Sequence, residues 1–328
     1  MQITNNTGVS LPLAVWLAGD GYDFRRGTRR AISATGLLKG VRKILLSERL
    51  TESDMIPPDV TDYIASRLGH TIHDGIEKAW THDYASSMRK LGYPEKIIQR
   101  IRINPTPEEL QARNDIIPVY LEQRTEREFR GYAITGKFDM VLYGVLQDFK
   151  STSVYTAMHG DKDEDYRLQG SIYRWLNRDK ITADHIVINW IFTDWSRAEA
   201  KRNPKYPQQR VMPHNVQLLS LHETEAWLDA KFDALEAAAD LPEHLLPYCT
   251  DEELWRGKTA WKYYSDPKKA DDPNARSSKN FDNSADAAAY MASKGGKGIV
   301  IEKPGVVRAC AYCPAAPICT QKDLYEHA

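Results

Sequence analysis

The chain has 328 residues, enough to bury a sizeable core as one large domain or two smaller ones. Hydrophobic residues make up 42% and charged residues 27%, mean hydropathy is −0.55, and no apolar run approaches the roughly 18 residues of a bilayer span, so no membrane partner is expected. The net charge of −1 excludes a global basic field, so contact with nucleic acid requires a local basic groove.

The N-terminus has no basic stretch before its short apolar patch, so no signal peptide is expected and a cytoplasmic location is the default. The first 110 residues read as mainly helical. Arg25, Arg26, Arg29 and Arg30 form either a phosphate-contacting group or a charged face. Ser33 is a candidate N-cap, followed by Leu37, Val41 and Leu45 on one face, with Leu38 and Ile44 beside it. Pro57 and Pro58 set the start of a second helix over 60–80, in which Ile64, Leu68, Ile72 and Ile76 recur every four residues.

From about Pro118 the period shortens. Residues 119–124 read as a strand, 129–145 as a hairpin turning near Tyr143-Gly144, and 146–150 as the next strand. Helix returns over 166–176. The β-branched run 185–192 reads as a central strand, and 216–221 as a weaker one. An amphipathic helix over 223–238 turns Leu228, Phe232 and Leu235 inward. Residues 265–283, rich in Lys, Asp, Pro, Ser and Asn, predict a long mobile loop. A short Ala-rich helix (282–293) and a short strand (298–302) follow. The predicted organisation is a helical N-terminal portion over 1–110, a mixed α/β core over 111–245 and a cysteine-bearing lobe over 246–328.

The chemistry concentrates in Gly136-Lys-Phe-Asp139 and, nine residues after Asp139, in Asp148-Phe-Lys150. Two carboxylates on neighbouring β-segments suit a hard cation such as Mg²⁺ or Mn²⁺. Asp148 and Lys150 point to one face of a strand. A lysine there can stabilise charge developing on a phosphate or orient an attacking water, and the backbone carbonyl of Phe149 offers a further oxygen ligand. The bland alternative is an Asp/Lys ion pair on a solvated hairpin. Gln169 and Tyr173, at i and i+4, share a helical face that can reach a phosphate or a base, although a tyrosine there also suits ordinary core. His73 offers an imidazole, with His70 and Glu77 close by in sequence. Glu122, on the preceding strand, reads either as an outer partner of a metal or water, or as a half-exposed strand glutamate.

In chain order these residues read Gly69-x3-His73, Gly136-x2-Asp139, Asp148-x-Lys150 and Gln169-x3-Tyr173. The series resembles the PD-(D/E)XK nuclease superfamily. It is most similar to the branch containing the RecB and AddB nuclease domains and the CRISPR-associated iron–sulfur exonucleases. The resemblance implies a restriction-endonuclease-like central mixed sheet flanked by helices. It also implies that His73, Asp139, Asp148 and the Phe149 carbonyl ligate Mg²⁺ or Mn²⁺, that Asp139, Asp148 and Lys150 are catalytic, and that Gln169 and Tyr173 position DNA. Most such proteins carry Glu where this chain has Asp148.

All four cysteines lie in the last quarter: Cys249, then Cys310-x2-Cys313-x5-Cys319. Four thiolates can hold a [4Fe–4S] cluster or one zinc. The x2/x5 spacing resembles that of the iron–sulfur nucleases, although their fourth cysteine precedes the nuclease core and Cys249 follows it. Zinc stands as the alternative. Between Cys249 and Cys310, Trp255, Trp261, Tyr263 and Tyr264 interleave with Arg256, Lys258 and Lys262. That layout fits either a single-strand channel or a packed subdomain with a basic rim.

The functional expectation is a metal-dependent deoxyribonuclease, an exonuclease working in recombination, repair or replication on single-stranded DNA or DNA ends. No Walker A motif is present, so helicase action would come from a partner helicase or recombinase. The alternatives are a structure-specific or restriction-like endonuclease, a catalytically silent DNA-binding recombination accessory protein, and a zinc-stabilised interaction module.

Overall fold

A seven-stranded mixed sheet organises the larger part of the chain, built from β1 (Ala31–Ser33), β2 (Ile101–Ile103), β3 (Ile117–Phe129), β4 (Tyr132–Leu142), β5 (Val145–Thr152), β6 (His185–Phe192) and β7 (Val211–Gln217). The computed structural model describes residues 3–19, 30–159, 162–272 and 274–325. The chain divides into two compact units: Met1–Leu38 with Ile56–Asp233, and Lys39–Met55 with Ala234–Ala328. The fold class is mixed α/β, with a curled mixed sheet flanked by helices and four cysteines near the C-terminus.

In the first unit the strand order is β2-β3-β4-β5-β6-β7. The long β3–β4 hairpin and the β4–β5 pair are antiparallel, whereas β5 and β6 are parallel. The parallel step is bridged by the helix Asp163–Leu176, as a crossover between parallel strands requires. Tyr143 and Gly144 both have positive φ, 54° and 76°, the conformation of a tight hairpin turn whose twist matches its strands. The expected turn therefore stands where the glycine indicated. β6 alternates half-buried and buried residues along its whole length, and β5 and β7 flank it.

One edge of β4 is shared. β1 pairs in parallel with Ala133, Ile134 and Thr135, and β5 pairs from Met140 onward. Among the described residues, Gly136 to Asp139 have no strand partner on that edge. The candidate motif thus occupies a gap between two strands. The helix Asp163–Leu176 closes over this region, burying Ile172, Tyr173 and Trp175. A Cβ on Gly136 would come within 2.7 Å of Leu176 Cδ1 and 2.9 Å of Tyr173 Cε1. Glycine is thus what lets the helix settle against β4.

Other elements depart from expectation. The stretch from Ser33 is two helices, Ala34–Leu37 and Val41–Arg49, although Ser33 does cap the first by accepting from the Gly36 amide. Residues 60–80 open as a 3₁₀ turn, Val60–Tyr63, capped by Asp59. They continue as the α-helix Ile64–Lys78 and end in a π turn, Ala79–Asp83. The cap is the carboxylate, and the proline pair lies ahead of it. Ile64 and Leu68, two of the four residues that recur along this helix, are exposed. Arg25, Arg26 and Arg29 lie outside the described residues. Arg30 donates to the Tyr132 hydroxyl and lies over its ring.

In the second unit, β8 (Ala260–Tyr264) lies between β9 (Lys279–Phe281) and β10 (Ile299–Lys303) in an antiparallel sheet. The helix Ser284–Ser293 begins at Asn283, whose side chain accepts from the Asp286 amide. The expected loop over 265–283 is a correction: it contains the 3₁₀ turn Pro267–Ala270 and the strand β9. Its polar residues misled because they serve as caps, such as Asp266 accepting from the Lys268 amide. Among the described residues no helix is long and apolar enough to cross a membrane.

Candidate metal centre and cysteine pocket

Four elements deliver the candidate residues. His73 comes from the helix Ile64–Lys78, Asp139 from β4, Asp148 and Lys150 from β5, and Gln169 and Tyr173 from the helix Asp163–Leu176. Strand pairing between β4 and β5 runs only as far as Met140–Gln147. There the Asp139 carboxylate replaces the ladder: Oδ2 accepts the Phe149 amide at 2.9 Å. The other oxygen, Oδ1, lies 3.3 Å from His73 Nδ1, and His73 Nε2 donates to the Phe149 carbonyl at 2.8 Å. Asp139, His73 and the Phe149 peptide thus lock one another in place.

Asp148 is 2% exposed. Its Oδ1 accepts from Lys150 Nζ at 3.0 Å and from Gln169 Nε2 at 3.2 Å. Nζ also approaches Oδ2 at 2.8 Å, outside hydrogen-bonding angles, so this buried oxygen has no hydrogen-bond partner. A carboxylate buried this deeply is costly unless its charge is answered, and the Lys150 ammonium answers it here. Gln169 lies 3.4 Å from the Tyr173 hydroxyl, so the i, i+4 pair does share a face, and it is Gln169 that holds the aspartate. Tyr173 is buried against Gly136.

The electrostatics follow from burial and charge. Burial pushes the Asp148 carboxyl up to about 6; the Lys150 ammonium opposes this and the Asp139 charge adds to it. For Lys150, burial acts to depress the amine, but the charges of Asp148 and Asp139 together hold it above the usual lysine range. Lys150 is therefore a fixed cation. His73 is raised, first by its hydrogen bond to Asp139 and against the pull of burial.

Glu122 joins this site more closely than its sequence position suggests. Its register partner across the β3–β4 hairpin is Asp139, because Leu121 pairs with Met140 and Gln123 with Phe138. Glu122 has φ of 50°, a left-handed conformation in the middle of a strand that costs a residue with a Cβ roughly 1–2 kcal/mol. His73, Glu122 and Asp139 each offer a ligand atom within 4.8 Å of one another, the one such set of three among the described residues. Burial raises the Glu122 carboxyl, and Lys137, 2.5 Å away, counters this. His70 is exposed and outside the set. Asp148 is also outside it, facing Lys150 and Gln169 instead. His73, Glu122 and Asp139, one imidazole and two carboxylates, are a donor set that fits Mn²⁺ or Mg²⁺.

Cys249, Cys310, Cys313 and Cys319 line one pocket of the second unit, all half-buried and none in a disulfide. Burial pushes the Cys249 thiol up to about 11, with Glu253, Cys319 and Cys313 adding to the effect. Four convergent thiols are a donor set that fits a soft metal centre. Among the described residues no three of these sulfurs fall within 4.8 Å of one another. Gln321 clamps Cys249 by its backbone, accepting from the amide at 2.8 Å and donating to the carbonyl at 3.0 Å. Arg42, from the helix Val41–Arg49, also lines the pocket. Neither residue was singled out from sequence. The only signal for Arg42 was a cation four residues before Leu46 on an apolar helical stripe.

The aromatic and basic stretch after Cys249 divides. Tyr263 and Tyr264 are buried core, and Arg256 is paired with Asp251. Trp255 is 56% exposed and has φ of 47°.

No family model matches this chain, and no curated protein matches it. Among solved structures it aligns with SSO0001 at a TM-score of 0.37 and 15% identity, covering 69% of this chain and 87% of that one. It also aligns with a phage related exonuclease from Haemophilus somnus 129PT at a TM-score of 0.29 and 16% identity, covering 65% of this chain and 94% of that one.

Proposed function

We propose that the chain is a Mg²⁺- or Mn²⁺-dependent deoxyribonuclease of the PD-(D/E)XK type, acting as an exonuclease on DNA ends. The observation that carries this reading is the convergence of four separate elements: His73 on Asp139 and the Phe149 carbonyl, and Lys150 and Gln169 on the buried carboxylate of Asp148. A solvated hairpin ion pair would need neither the burial of Asp148 nor the convergence of two helices.

His73, Asp139, Asp148 and the Phe149 carbonyl would hold the cation. A divalent cation held there supplies a polarised phosphate and a water of lowered pKa. The protein's own contribution is positional and electrostatic. Asp139 orients the His73 ring, Gln169 fixes Asp148, and Lys150 presents a permanent ammonium to charge that develops on the phosphate oxygens. No side chain here is arranged as a nucleophile with its own base, so direct attack by water is favoured over a covalent intermediate.

For the four cysteines the proposal is a [4Fe–4S] cluster. The Cys310-x2-Cys313-x5-Cys319 spacing supports this reading, with zinc as the alternative. Brown, sulfide-containing protein from anaerobic purification is the expected result, and colourless protein with one zinc per chain overturns this part of the reading.

The test of function is digestion of end-labelled linear DNA and closed circular DNA with and without Mn²⁺. The exonuclease reading expects loss of linear DNA only. Cutting of circles would replace it with the endonuclease reading, and no cutting of either would leave a silent DNA-binding protein.

A further inference from the structure

We propose that Arg42 is a positioning residue of the four-cysteine centre, giving the Cys319 sulfur a charged hydrogen bond and offsetting the negative charge that four thiolates gather around a metal. The inference rests on the reading that the four cysteines share one metal or cluster.

Arg42 is 1% exposed, and a guanidinium so deeply buried must be answered on every side. Nη1 donates to the carbonyls of Glu243 and Leu246, at 3.2 and 3.1 Å. Nη2 pairs with the Glu243 carboxylate, and the guanidinium lies over the Tyr248 ring. A further donor, Nε, points at Cys319 Sγ, 3.3 Å away. A neutral thiol is a poor acceptor, and a buried arginine has little reason to spend a donor on one. A metal-bound thiolate is a far better acceptor, and hydrogen bonds to ligand sulfurs tune such centres.

The surroundings are built around that contact. Glu243 also accepts from the Thr320 amide and hydroxyl, the residue next to Cys319. One carboxylate therefore ties the arginine to the chain that carries the sulfur. Lysine in place of Arg42 would keep the charge but lacks the planar fork that serves the sulfur and two carbonyls together.

The experiment uses the full chain purified anaerobically, with metal and sulfide counted per chain. Metal loss to excess EDTA and the position of the visible charge-transfer band are then followed. Arg42→Gln is expected to lose metal at least tenfold faster than wild type, the usual scale for removing an outer partner of a metal ligand, and to shift the band. Glu243→Gln breaks the same ion pair without touching the sulfur. It is expected to lower the melting temperature and to speed metal loss less than Arg42→Gln does, with the band in place. If the two variants lose metal equally fast with unshifted bands, Arg42 is a structural tie only and the proposal is overturned. Should Arg42→Gln fail to fold, Arg42→Lys decides: severalfold faster loss is expected, and wild-type retention contradicts the proposal. Wild-type protein without metal would instead remove the four-cysteine reading itself, before any variant is compared.

Discussion

His73 Nδ1 lies 3.3 Å from the Asp139 carboxylate while Nε2 donates to the Phe149 carbonyl at 2.8 Å, so both ring nitrogens face acceptors. That arrangement favours the imidazolium and raises the histidine, with the Asp139 hydrogen bond as the largest cause. A metal ligand must be the neutral imidazole. If His73 holds the proposed cation, proton and cation compete there. Mn²⁺ affinity, measured by calorimetry from pH 6 to 8, should climb steeply above the ordinary histidine value of 6.5, approaching tenfold per pH unit. His73→Gln should bind about 10–100-fold more weakly at pH 8 and show a flatter pH dependence.

The same groups set a stability trend. His73 is held above 6.5, and Asp148 is pushed from 3.8 up to about 6. In both cases the folded chain holds its proton more tightly than the unfolded chain. Each contribution is present at low pH and is lost as pH rises through the folded value. For EDTA-treated protein these two groups should lower the melting temperature by a few degrees between pH 5 and pH 8. The decline should shrink in His73→Gln and on adding Mn²⁺.

Gly136 is expected to be irreplaceable for packing reasons. A methyl group there meets Leu176 and Tyr173 at under 3 Å, so Gly136→Ala should destabilise the fold by about 1–3 kcal/mol in denaturant titration. Because the displaced helix carries Gln169, activity should fall more than stability alone explains.

Glu122 separates a strained ligand from a passive strand residue. Asparagine tolerates left-handed φ better than glutamate, so Glu122→Asn should fold with stability near wild type. Loss of one carboxylate from the set with His73 and Asp139 should weaken Mn²⁺ binding about tenfold. Unchanged affinity would place Glu122 outside the centre.

Much of this was legible in the sequence, for identifiable reasons. Alternation and the turn pair Tyr143-Gly144 located β4 and β5, and the strand over 185–192 was readable from its β-branched run. The i, i+2 spacing of Asp148 and Lys150 and the i, i+4 spacing of Gln169 and Tyr173 are local geometry, and they led to the observed contacts. Long-range pairing was hidden. β1 completing the edge of β4, Glu122 standing opposite Asp139, and Arg42 reaching a sulfur 277 residues away depend on partners that no local pattern encodes. The loop expected over 265–283 failed for another reason: polar residues that cap turns look the same in sequence as polar residues in solvent.

The most direct measurement is Mn²⁺-dependent degradation of end-labelled linear DNA by wild type and Lys150→Ala, with circular dichroism confirming that both are folded. The account predicts that wild type degrades the DNA, that EDTA abolishes the activity, and that the alanine variant is slower by about 10²–10³-fold, the scale for removing one group that stabilises developing charge. Equal degradation by the two proteins, or none by either, would contradict it.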